Sequence, residues 1–179
     1  MARSGRRRVR RLAMWATVAV LFGGMTFGVD ATIAADATSP HVRSSNATIR
    51  AAMDMGQLRS VTFRSLVNKI EETDGIVYVE RGHCGHGVPA CLTLSVISGG
   101  GYRLLRILVG NVDDVMSLVA TLGHELRHAL ELLAEPAVRT MGAAYNFYMR
   151  EGPTTSGVFE TEAAIHAGLQ VERELKVSN

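Results

Sequence analysis

Two histidines four residues apart, His124 and His128, enclose Glu125 in the stretch HELRH of a 179-residue chain. On an α-helix four residues advance about 6 Å and turn about 400°, so both imidazoles leave one side of the helix, a turn apart. Two ring nitrogens so placed can share one zinc ion at about 2.0–2.1 Å each. Glu125 stands about 100° around the helix from His124, beside such an ion and within reach of a water on it. Zinc lowers the pKa of that water to about 7, and a neighbouring carboxylate can take its proton as the oxygen attacks a carbonyl. The alternative is a solvated helix surface in which Arg127 and Glu131 pair at i,i+4. It fits poorly, because the flanks VMSLVATLG and ALELLA are apolar. Imidazoles embedded in a mostly buried helix need partners.

A catalytic zinc site takes three protein ligands and leaves a fourth position open. Glu131 lies about 10.5 Å along the helix from His124, on the same face but too far to coordinate, and suits the orientation of an imidazole. Downstream, GVFETEAAIHAG offers Glu160 and Glu162. HELRH followed by ETEAA resembles the gluzincin group of zinc metallopeptidases, above all its small minimal members, in which a glutamate from a later helix is the third ligand. That glutamate begins an E-x-x-x-D pattern, often with alanine before the aspartate. The resemblance implies Glu160 as ligand beside His124 and His128, with Glu125 as general base. Ala163 matches the alanine, but Ala164 stands where the aspartate would be. The departure removes a familiar partner of one histidine, for which Glu131 can substitute. Glu162 competes with Glu160, since two helical positions turn a side chain by about 200° and both cannot face one ion.

The elements that would position these groups follow from periodicity. Apolar residues from Ile49 to Ile70 recur at three and four and predict one amphipathic helix. Residues 76–80, 91–97 and 102–110 are rich in β-branched and aromatic side chains, and the short breaks between them predict an antiparallel meander. A helix runs from the caps Asn111 or Asp113 to Leu133, before Pro136. A second helix is expected over 137–149, and a third from about Ser156 that carries Glu160. The resemblance covers roughly residues 50–175 and implies a zincin-like α+β fold. Its parts are an N-terminal helix, a short antiparallel three-stranded sheet, the HExxH helix and a C-terminal glutamate-bearing helix. In that group an edge strand pairs with an extended peptide, and residues 102–110 would be that strand. Tyr145 and Tyr148 are candidates to polarise the scissile carbonyl, against ordinary core packing. His166 is open between the cleft and the surface.

The chain's ends set its compartment. Residues 1–37 begin with six arginines, continue through an apolar run and reach ADA, the layout of a secretory signal peptide; the alternative is a retained membrane anchor. Without them the formal charge moves from +2 to −2, so the basicity belongs to this segment and nothing points to nucleic acid. Residues 38–50 are polar and patternless and read as a flexible connector to a domain over 51–179. Cys84 and Cys91 flank a Gly- and Pro-containing loop, and outside the cytoplasm they are expected to form a disulfide. The rival, a second metal site of His83, Cys84, His86 and Cys91, needs free thiolates. Together these features predict an extracytoplasmic zinc metallopeptidase acting on peptides or flexible protein segments, with membrane contact only if the first segment is retained. A zinc-stabilised binding or structural domain without hydrolytic activity is the alternative.

Overall fold

A computed structural model describes residues 39–85, 87–151, 154–155 and 158–177, all within one compact unit, Thr38–Asn179. The expected export signal, residues 1–37, and His86 lie outside the described residues. Among the described residues no helix is long and apolar enough to cross a membrane.

The architecture of the described residues is mixed α+β, with five helices and a small mixed sheet. The expected connector instead contributes structure: β1 (Val42–Arg43) pairs in parallel with β2 (Gly75–Arg81), and Asn46 caps α1 (Ala47–Arg59) by accepting from the Ile49 N–H. Val42 and Ile49 are buried anchors in this otherwise polar stretch, too sparse to form a pattern.

The single helix expected over 49–70 is two, α1 and α2 (Val61–Glu71), broken at Ser60. Ser60 takes an extended backbone, closes α1 through its N–H to Gly56 O, and opens α2 by accepting from the Phe63 N–H at 2.9 Å. A serine three residues before such an N–H is an N-cap, a signal that competes locally with the helical period.

The sheet corrects the expected antiparallel meander. Its order is β1-β2-β5-β3, with β5 at Tyr102–Val109 and β3 at Ala90–Leu92, while β4 (Ile97–Gly99) also pairs with β5. β2 and β5 run parallel along their full length, because residues 82–101 carry the chain across β5 before it enters the sheet. The apolar run 91–97 is thus two short strands, both antiparallel to β5. Leu92 pairs with Ile107 and Ile97 with Leu104, so residues 93–96 bulge outward where β5 advances only through 105–106. Gly100 and Gly101, both at positive φ, form the tight turn from β4 into β5.

On β5 the residues Arg103, Leu105, Ile107 and Val109 alternate inward, and with Val77 and Val79 of β2 they meet the helices. The core helix is α3 (Val115–Ala134), capped by Asp114 and burying ten of its residues. Its far end stops on Arg103, which is only 3% exposed and donates to the carbonyls of Leu132 (3.0 Å), Leu133 (2.7 Å), Glu135 (2.9 Å) and Val138 (3.3 Å) while pairing with Asp74. One buried guanidinium therefore satisfies two of the last carbonyls of the helix and two of the turn after it, and suits its negative end.

The turn over 135–140 delays α4 to Met141–Glu151, four residues later than the expected start. After the short hairpin β6 (Thr154–Thr155) and β7 (Val158–Phe159) comes α5 (Glu162–Val177), which packs on α3. The approach is close: a Cβ at Gly123 would lie 2.8 Å from Val171, and one at Gly168 3.2 Å from the His124 Cβ.

Candidate metal centre

The helical spacing of HELRH has the expected consequence. His124 and His128 lie on one side of α3 with ring centroids 4.8 Å apart, and both direct Nε2 towards Glu160. Glu160 is not on the last helix, as expected, but just ahead of it. Thr161 is the true helix cap, its hydroxyl accepting from the Ala164 N–H at 3.1 Å. Glu162 opens α5 and is exposed, outside the cluster.

Glu160 Oε2 lies 3.2 Å from His124 Nε2 and 4.0 Å from His128 Nε2, and no two of the three donor atoms are more than 4.8 Å apart. Ligands in a tetrahedron with bonds of about 2.05 Å would be separated by about 3.3 Å. The group is thus a possible metal-binding triad that closes on an ion with small side-chain adjustment.

The protonation pattern fits a cation better than hydrogen bonding. His128 Nδ1 lies 3.1 Å from Glu131 Oε2; an ionised carboxylate only accepts, so Nδ1 donates there, and in the neutral ring the Nε2 lone pair faces Glu160. Burial raises Glu131, but its bonds to His128 and Thr161 and the nearby charges outweigh that and hold it below the usual carboxylate range. His128 Nε2 and Glu160 Oε2 are both buried and have no hydrogen-bond partner. Two acceptors aimed at one point with no donor between them are costly unless a cation joins them. Burial, helped by the neighbouring His128, lowers the His124 pKa to about 4, which keeps this ring neutral and free to ligate. Burial, with the nearby Glu131 charge, raises Glu160 above its ordinary range despite the opposing influence of His128.

As expected, Glu131 orients an imidazole, that of His128, while the Ala164 backbone lies close enough to His124 to favour its protonated form slightly. Thr161 was not foreseen, although a threonine before EAAIHAG is a helix-start signal; its hydroxyl donates to Glu131 Oε1 at 2.8 Å.

Glu125 is buried beside the triad, and burial raises its pKa to about 7. Its Oε2 accepts the Leu92 N–H of β3 at 2.6 Å. Both the triad and Glu125 open into a cleft of about 660 Å³ whose walls include Leu92, Leu94, Ile165 and Leu169. No lysine or arginine is among its described lining residues.

The cleft edge is β3, not the strand at 102–110: β5 is paired on both sides and has no free edge. Tyr148 lies in the cleft wall, but its hydroxyl donates to the buried His128 carbonyl at 3.0 Å, and burial raises its pKa. Tyr145 stands edge-on to Phe159 and half-exposed, and His166 lines a separate shallow groove with Lys69 and Arg127. None of these three is placed to act on a carbonyl in the cleft. Cys84 and Cys91 form a disulfide at the cleft wall, which uses both sulfurs and removes the rival metal site.

Searches against protein-family models, curated proteins and solved structures find no match to this chain.

Proposed function

We propose that the protein is an exported zinc-dependent peptidase of gluzincin-like design, holding the ion with His124, His128 and Glu160 and using Glu125 as general base. The observation that carries this reading is the pair of buried, unpartnered acceptors, His128 Nε2 and Glu160 Oε2, converging with His124 next to a second buried carboxylate. Two imidazoles and one carboxylate suit zinc, and the disulfide is compatible with an oxidising compartment.

A bound zinc ion supplies Lewis acidity, polarising a carbonyl and lowering the pKa of water. The chain's own part is proton transfer and alignment. Glu125 takes a proton from the attacking water as its oxygen bonds to the peptide carbon, then passes that proton to the amine as the C–N bond breaks. The outer edge of β3, from Ala90 to Leu92, borders the cleft and suits an extended peptide held by main-chain hydrogen bonds.

The Leu92 N–H bonded to Glu125 favours a second reading, a zinc-stabilised binding domain whose carboxylate anchors a strand. Glu125→Gln separates the two. Zinc content should persist while cleavage of a mixed peptide library is lost. Unchanged cleavage would remove Glu125 from the mechanism, and bound zinc with no cleavage by either form would favour the binding domain.

A further inference from the structure

Glu160 precedes α5 and is therefore not fixed by helical geometry, yet both of its chain neighbours are tied to His128. On one side Thr161 donates to Glu131 Oε1 at 2.8 Å, and Glu131 Oε2 holds His128 Nδ1 at 3.1 Å. On the other side Phe159 stacks on Tyr148 (centroids 5.5 Å, planes 21° apart). Tyr148 in turn sets its ring edge-on to His128 and donates to the His128 carbonyl at 3.0 Å. The ligand from one segment is thus bracketed by two arms that end on the ligand from another. We infer that Glu131 and Thr161 are positioning residues that preassemble the metal site, locking the Glu160 segment to the His128 ring before any ion arrives.

Glu131 is suited to the task. It is nearly buried, and its two oxygens serve different elements, with Arg127 Nε a further 3.3 Å from Oε1. Thr161 uses its hydroxyl twice, accepting from Ala164 N–H and donating to Glu131, so the α5 cap and the clasp are one atom. Serine preserves both bonds and valine preserves neither. Glutamine at 131 keeps the shape but offers one accepting oxygen where two are used. A ligand whose supporting hydrogen bond is removed typically loses about 10–100-fold in metal affinity. Losing either residue is expected to act by making the ion meet the cost of ordering Glu160.

The inference rests on the metal reading, and the test separates the two. Zn²⁺ affinity is measured by chelator competition on the folded, metal-stripped protein, for the wild type, Glu131→Gln, Thr161→Val, Thr161→Ser, the double variant Glu131→Gln/Thr161→Val and a His124→Ala/His128→Ala control. Circular dichroism and thermal melting of each apo form establish that it is folded. Glu131→Gln and Thr161→Val should each weaken Zn²⁺ by about 10–100-fold. Thr161→Ser should restore affinity to within about threefold, and the double variant should be little worse than the worse single one, since both break one linkage. The Co²⁺ form should lose the intense visible bands of a tetrahedral site in the weakened variants. Zn²⁺ affinities within twofold of wild type for both single variants, or fully additive losses, would overturn the clasp while leaving the metal site intact. A wild type that binds Zn²⁺ no better than the double-histidine control would overturn both.

Discussion

Arg103→Met is expected to cost more than any other single change outside the metal cluster. Methionine roughly preserves the apolar volume of the stem but removes every donor. In the wild type those donors meet four main-chain carbonyls at 2.7–3.3 Å and the Asp74 carboxylate. Hydrogen bonds to a charged group contribute about 1.5–3 kcal/mol each, but here they share one side chain and do not add. Water can reach some of the stranded carbonyls, since Glu135 is exposed, and Asp74 keeps Arg139 at 3.1 Å. The loss should therefore match that of breaking one buried ion pair, about 3–5 kcal/mol. For a domain of this size each kcal/mol moves Tm by about 4 °C, giving a fall of about 10–20 °C.

Urea titration and calorimetry at pH 7 measure it, with Asp74→Asn as comparison. That variant keeps the carbonyl contacts and should lose less, about 1–2 kcal/mol. The pH dependence carries the sign. Arg103 first, through its hydrogen bond, and then Arg139 hold Asp74 below its ordinary pKa. Its contribution is thus complete above the unfolded value and disappears as pH falls through the lower folded one. Arg103→Met should flatten that acid slope. A loss below about 1 kcal/mol, or Asp74→Asn proving the more damaging change, would refute the account of Arg103 as the cap of α3.

Other changes report on the supports of the site. Glu174 accepts from Ser60 Oγ, Thr62 N–H and Thr62 Oγ1, and despite the opposing effect of burial these bonds lower its pKa from 4.5 to about 2. Glu174→Gln should lose about 1 kcal/mol near neutrality by urea titration, and its deficit should shrink between pH 4.5 and 2 as the wild-type carboxylate protonates. Cys84→Ser/Cys91→Ser opens a short loop and should lower stability by about 2–3 kcal/mol in equilibrium unfolding. Because Cys91 adjoins Leu92, whose N–H holds Glu125, the same variant should lower peptide turnover more than Zn²⁺ affinity, and equal effects on both would contradict that role.

The parts of this molecule written locally were legible in the sequence. A 3.6-residue period and an apolar flank placed α3, and that helix alone put His124 and His128 together. The same arithmetic assigned Glu131 to an imidazole, although the choice of His128 required the fold. Sheet order was not local information. Residues 91–97 look like one strand, but which side of β5 they join depends on a crossover and a bulge that no period encodes. Ser60 and Thr161 were missed because a cap is a single residue acting against the pattern around it: Ser60 split a helix that periodicity joined, and Thr161 started one later than composition suggested.

Several departures from ordinary protein construction meet around the triad. Glu125 is buried, His128 and Glu160 bring unpartnered acceptors together, and Gly123 and Gly168 press α5 onto α3 beside His124. By contrast, the buried polar groups of Arg103 and Ser60 are well supplied with partners. A buried group of acceptors without donors costs stability, and the proposed zinc ion would restore it. Zinc should therefore raise Tm with a dependence on its free concentration, by RT ln(1 + [Zn]/Kd), about 2.7 kcal/mol at a hundredfold excess over Kd. That rise should vanish in His124→Ala/His128→Ala. A metal-stripped protein as stable as the zinc-treated one would mean that the unpartnered acceptors are not completed by zinc.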